Sequence, residues 1–177
     1  MNNNNPKEHL QEIFDLQNDT SGGSYVYSFK ISRLLYSYSR SLIAILVSVG
    51  VFVFMDLDLT GSFLAIMFGA VALPGTILAI NYTIYSKNKK LYFQKGNSKF
   101  AVVCGNNTLI YDKRKIIKKE KYHTSSRRCI WSDFKFYQLT MKDGSTLNIS
   151  NLLMNENEFR KQFGSNLQSE TTSFPFV

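Results

Sequence analysis

Two long apolar stretches limit the architecture open to this chain more than any other feature. Residues 34–55 carry one charge, Arg40, near their start, and the 23 residues of 63–85 carry none. A helix rises about 1.5 Å per residue, so roughly 20 residues cross a hydrocarbon core of about 30 Å. Apolar runs of this length rarely serve as core helices in soluble proteins. A cleaved leader fits poorly, because the first run begins well inside the chain and no small-residue cleavage site follows it. The expected element is a transmembrane hairpin, residues 34–85, with helices at 34–55 and 63–85.

Lysine and arginine set the expected orientation. Lys30, Arg33 and Arg40 flank the start of the first helix, and Lys87, Lys89, Lys90 and Lys95 follow the second. The connection at 56–62 has no basic residue and carries Asp56 and Asp58. Basic flanks stay in the cytoplasm, so the chain is expected in the cytoplasmic (inner) membrane, multi-pass, with both termini cytoplasmic. This also accounts for part of the net charge of +8. Small residues mark one face of each helix: Ser41, Ala44 and Ser48 on the first, Ala65, Gly69, Ala72 and Thr76 on the second. Such stripes let backbones approach closely, within the hairpin in the favoured reading and across a homodimer in the other. Pro74-Gly75 is expected to kink the second helix.

Residues 1–33 form a cytoplasmic segment expected to be partly disordered, opening on an Asn run, with a short helix at 6–16. Tyr25, Tyr27, Phe29 and Ile31 alternate with Val26, Ser28 and Lys30, which suits a strand. An interfacial tyrosine belt continuing through Tyr36 and Tyr38 suits the same residues. Both readings stand at this point.

From residue 88 the pattern changes to short alternating runs at 91–94, 100–104, 108–111 and 115–119, with a turn at Gly105-Asn106-Asn107. Residues 134–141 and 145–150 read as a β-hairpin. A three-residue loop sets Tyr137 opposite Ile149 and Leu139 opposite Leu147, gathers apolar side chains on one face, and puts Gly144 in the left-handed position. A short helix follows, with Asn155 as N-cap, Glu158 completing a capping box, Met154 and Phe159 as a hydrophobic staple, and Gly164 as terminator. Residues 165–177 lack periodicity and are expected to form a flexible tail.

The run from Lys121 through Trp131-Ser132-Asp133 to Phe134, then from Leu139 through Lys142-Asp143-Gly144 to Leu153, looks like the later half of a recurring bacterial domain. It resembles uncharacterised bacterial two-transmembrane-helix proteins with a pleckstrin-homology-like, or YcxB-like, cytoplasmic domain. The resemblance covers residues 88–164 and the hairpin layout. It implies an α+β membrane protein: a two-helix hairpin followed by a small antiparallel β barrel or sandwich with a short C-terminal helix. The basic inositol-phosphate signature of eukaryotic relatives is not clearly present, so phosphoinositide binding is not carried over.

Residues 86–145 hold fifteen Lys and Arg against four Asp and Glu. The densest part contains Lys113, Arg114, Lys115, Lys118, Lys119 and Lys121. It reads equally as a lysine-protected edge strand or as a contact for anionic lipid. Nucleic acid, with Tyr111, Tyr122 and Trp131 as stacking rings, is the weakest reading and none is expected. Enzymatic chemistry is not expected. Asp112, Glu120, Asp133 and Asp143 are scattered, His123 beside Ser125 and Ser126 reads as a polar loop residue, and no phosphate cradle is present. Cys104 and Cys129 read as buried thiols, and the two cysteines and two histidines lack zinc-ligand spacing, so neither metal nor cofactor is expected. Asn81 is expected to bond a neighbouring helix or the interface. The expected function is a membrane-tethered, non-enzymatic binding or scaffolding module whose β domain engages a protein partner or the anionic bilayer surface. An accessory subunit or small oligomeric channel acting through the helices is the alternative.

Overall fold

The computed structural model describes residues 24–54, 59–125 and 128–177. The element order is β1 (Ser24–Ser28), α1 (Ile31–Phe54), α2 (Leu59–Lys87), β2 (Lys89–Gln94), β3 (Lys99–Cys104), β4 (Asn107–Asp112), a 3-10 turn (Lys113–Lys115), β5 (Ile116–Thr124), β6 (Lys135–Met141), β7 (Thr146–Ser150), α3 (Glu156–Phe163) and β8 (Gln168–Thr172). Two four-stranded sheets result, ordered β1-β2-β3-β4 and β7-β6-β5-β8.

The two helices are an insertion between the first two strands of one sheet. β1 pairs antiparallel with β2, Ser24 facing Gln94 and Ser28 facing Lys90, although the whole hairpin separates them in sequence. The β domain therefore starts at β1 rather than at residue 88, and of the two readings of 25–31 the strand holds for 24–28. Correspondingly, residues 165–177 are not a featureless tail: β8 pairs in parallel with β5, Glu120 facing Gln168 and Thr124 facing Thr172. Periodicity failed there because a polar strand on a sheet edge buries neither face.

Local chemistry explains the remaining elements. The β6–β7 hairpin has the expected register, Tyr137 facing Ile149 and Leu139 facing Leu147, and Gly144 adopts φ 81° in its loop. The Asn155 side chain accepts from the Glu158 N–H at 2.9 Å, while Glu158 accepts from the Asn155 N–H at 2.8 Å, closing the capping box. Gly164 ends α3 at φ 88°. The main core lies between the sheets and under α3, built on Phe93, Phe100, Tyr137, Leu139, Phe159 and Phe163. Both cysteines are free and only partly buried, so the buried-thiol expectation was too strong.

α1 starts three residues before its expected limit, α2 exceeds its expected limits at both ends, and both are long and apolar enough to cross a membrane. α2 runs through Pro74 as one helix. The small-residue faces meet each other: Ser41, Ala44, Ala65 and Ala72 are buried, and Ser48 Oγ donates to the Ala65 carbonyl at 2.7 Å. Packing within the hairpin thus occupies the surface that the homodimer reading needed. The Asn run, the 6–16 helix, Asp56, Asp58 and Ser126 lie outside the described residues.

A second apolar core welds the hairpin to the outer face of β6 and β7. Leu78, Ala79 and Tyr82 of α2 pack with Phe134, Phe136 and Leu152. Tyr82 meets Phe134 edge-on at 5.1 Å, the Tyr85 hydroxyl donates to the Asn148 carbonyl at 2.6 Å, and the buried Ser86 and Ser150 hydroxyls share a hydrogen bond of 2.6 Å. Pairing these buried polar groups avoids the 1–3 kcal/mol that an unsatisfied one costs.

Candidate functional site

The six basic residues singled out in the sequence do not form one open cationic patch. Alternation along β5, with the turn before it, divides them between faces. Lys113, Lys119 and Lys121 point toward α3: Lys113 Nζ donates to Gln162 Oε1 at 3.3 Å, Lys119 Nζ to the Phe163 carbonyl, and Lys121 Nζ to Glu156 Oε2 at 3.3 Å. Lys119 so occupies a terminal carbonyl of α3, where a cation also favours the helix dipole. Lys113 also lies 5.0 Å from the Phe93 ring centroid, and desolvation holds its ammonium pKa below the ordinary lysine value. Arg114 and Lys118 have local carboxylate partners, Asp112 at 2.9 Å and the buried Glu120 at 2.7 Å. Lys115, the last residue of the turn, is exposed. The edge-strand reading holds at most for the first half of β5, since residues 120–124 lie between β6 and β8.

A polar cleft of about 530 Å³ opens where α1 meets the sheet and α3. Arg33 and Ser37 come from α1, Lys135 and Tyr137 from β6, Asn151 from the turn after β7, and Asn155 and Glu156 from the start of α3. Arg33 is fixed by Glu158 and the Leu153 carbonyl, and Asn151 Nδ2 reaches Ser37 Oγ at 3.2 Å and the Asp133 carbonyl at 2.9 Å. The wall is therefore rigid and carries both signs of charge. Tyr137 is fully buried, stacked on Phe159 at 4.4 Å, and its hydroxyl has no hydrogen-bond partner. Burial, then the neighbouring Glu156 carboxylate, pushes its pKa above the ordinary tyrosine value, so it stays a neutral hydroxyl able to donate. Burial raises the pKa of Glu156 as well, but the hydrogen bond from Arg160 and the charge of Lys121 outweigh it and hold that pKa below the usual carboxylate value.

Chemical options elsewhere are limited. His123 lies on β5 rather than in a loop, its ring nitrogens 2.9 Å from the Thr124 carbonyl and 2.8 Å from Ser169 Oγ. No cluster of three metal-ligating side chains occurs among the described residues. The three candidate stacking rings are each stacked on another ring of the protein: Tyr111 on Phe100, Tyr122 on Phe136 and Trp131 on Phe174. Asn81 accepts from the Val177 N–H at 3.1 Å, a partner on the C-terminal segment rather than on a helix. The cleft was invisible in the sequence because its walls come from residues more than a hundred positions apart.

A family model described as a PH domain matches residues 26–162, a span running from β1 through the inserted helices to α3. No curated protein and no solved structure matches the chain.

Proposed function

The chain belongs to the PH domain family, and from that premise we propose that it is a membrane-tethered, non-catalytic binding module. The carrying observation is the pairing of β1 with β2 on either side of the helical hairpin. Strands that are neighbours in one sheet bring the start of α1 and the end of α2 to the same place. If the helices cross a bilayer, both flanks emerge on the same side, with the sheets beside them. The basic residues Lys30, Arg33, Lys87, Lys89 and Lys90 favour the cytoplasmic side. Rigid packing of Tyr82, Tyr85 and Ser86 on β6 and β7 fixes how the domain is presented, as scaffolding requires.

The ligand surface proposed is the cleft over Tyr137, and the ligand a polar segment of a protein partner. An anionic-lipid role for Lys113, Arg114, Lys115, Lys118, Lys119 and Lys121 is the weaker reading, because five of the six already bond within the protein. The full chain in mild detergent should retain its partner, and Lys135→Glu together with Asn157→Arg, both at residues lining the cleft, should release it. Equal retention by this variant would place binding outside the cleft.

A further inference from the structure

We propose that the rim of the PH domain enters the bilayer: the β5–β6 loop at Ile130 and Trp131 and the C-terminal aromatics Phe174 and Phe176 form a collar at the headgroup–acyl boundary. This rests on the tether proposed above and specifies how deep the domain sits.

Helix length carries the argument. Ile130 Cγ2 lies 3.9 Å from where a Cβ on Gly75 would stand, and Ser41 faces the same glycine. Beyond that contact the described helical residues are Ser41–Phe54 of α1 and Leu59–Gly75 of α2. Those fourteen and seventeen residues span about 20 and 25 Å at the helical rise, against a hydrocarbon core of roughly 30 Å. The shortfall corresponds to some three to six further residues toward the domain. On α2 that is the level at which the C-terminal segment docks: Val177 N–H donates to Asn81 Oδ1 and the Tyr82 hydroxyl to the Pro175 carbonyl at 2.7 Å.

The far side of the hairpin requires the same depth. Ile77, Ile80 and Ile84 of α2 are exposed at 52 %, 55 % and 73 %, and Leu35 of α1 at 55 %. Lipid covering those side chains lies level with the aromatics on the domain side. These aromatics suit that position. Phe174 and Phe176 are 42 % and 50 % exposed, Phe174 stacks on Trp131 at 5.3 Å, and Trp131 Nε1 donates to the Ser173 carbonyl at 3.2 Å. An apolar ring system whose one polar group is satisfied is what the boundary favours. Arg40 of α1, near this depth, donates to Ser132 Oγ at 2.9 Å and pairs with Asp133 at 3.6 Å, and its length lets it reach outward to the headgroups.

Trp131 is the only tryptophan, so its fluorescence reports on this loop in the unmodified full chain. In vesicles of neutral lipid, lipids brominated close to the headgroup should quench it strongly. Lipids brominated near the chain end should quench it less, and aqueous iodide hardly at all. Iodide quenching with no effect of either brominated lipid, in a chain that resists alkaline extraction, overturns the collar and leaves the tether standing. Release of the chain by alkaline extraction overturns both.

Discussion

Arg33 of α1 clasps both carboxylate oxygens of Glu158 in α3, at 2.7 and 2.8 Å, and its other terminal nitrogen donates to the Leu153 carbonyl at 2.7 Å. Glu158 is also the residue that closes the capping box of α3, so one carboxylate joins the inserted hairpin to the helix over the core. Both side chains are largely shielded, at 16 % and 23 % exposure. Removing one partner leaves the other charge without compensation. Arg33→Met should lower stability by about 2–4 kcal/mol, read as the melting temperature of the full chain in detergent. In a double-mutant cycle with Glu158→Gln the losses should fall short of additive by about 1 kcal/mol or more. Additive losses would show that the pair does not couple hairpin to domain.

The contact of Ser41 with Gly75 gives a second test. A Cβ on Gly75 would lie 1.8 Å from Ser41 Oγ and 3.0 Å from Ser41 Cβ, whereas one on Gly69 would meet Ser48 Oγ at an ordinary 3.6 Å. Gly75→Ala should therefore destabilise the hairpin by about 1–3 kcal/mol, and Gly69→Ala should be nearly neutral. Ser41→Gly should rescue Gly75→Ala, because it removes the side chain that the new methyl meets. Equal effects at the two glycines would contradict this packing.

Tyr137→Phe removes a buried hydroxyl that has no partner within the protein. Without ligand, stability should be unchanged or rise by up to about 1 kcal/mol, as measured by thermal unfolding. A loss would mean that the hydroxyl is satisfied by a group in the cleft.

Carboxylates set the acid limit. Bonding to Arg114 lowers the Asp112 pKa to about 2, and bonds from Ser145 lower that of Asp143. The Glu156 pKa is lowered despite burial, through Arg160 and Lys121. A folded-state pKa below the unfolded value adds stability above the unfolded pKa and loses it as pH falls through the folded one. Melting temperature should thus drop between about pH 4.5 and pH 2. Glu156→Gln should melt below wild type at neutral pH and converge with it at the acid end. A constant gap would exclude ionisation of Glu156 as the cause.

The helical hairpin, the register of β6 on β7 and the cap of α3 were legible because each follows from neighbouring residues: an uncharged run, a turn glycine with alternating side chains, an Asn three positions before a Glu. β1 was not, because its partner lies beyond two inserted helices, and Tyr25 and Tyr27 suit a strand or a membrane interface equally. β8 was missed because Gln168–Thr172 is polar throughout and pairs in parallel at an edge. Charge singles out the basic residues in the sequence, but composition cannot show that Lys119 caps α3 or that Lys121 meets Glu156.

The central claim is that a transmembrane hairpin is inserted between β1 and β2, and side-specific labelling of single cysteines tests it most directly. With Cys104 and Cys129 replaced by Ser, cysteines at Ser24, Thr60 or Ser169 are probed in intact cells with a membrane-impermeant maleimide. The account predicts labelling of Thr60→Cys from outside, and of Ser24→Cys and Ser169→Cys only after the membrane is opened. Labelling of Ser24→Cys and Ser169→Cys from opposite sides would contradict it, because strands on opposite sides of a bilayer cannot belong to one β domain.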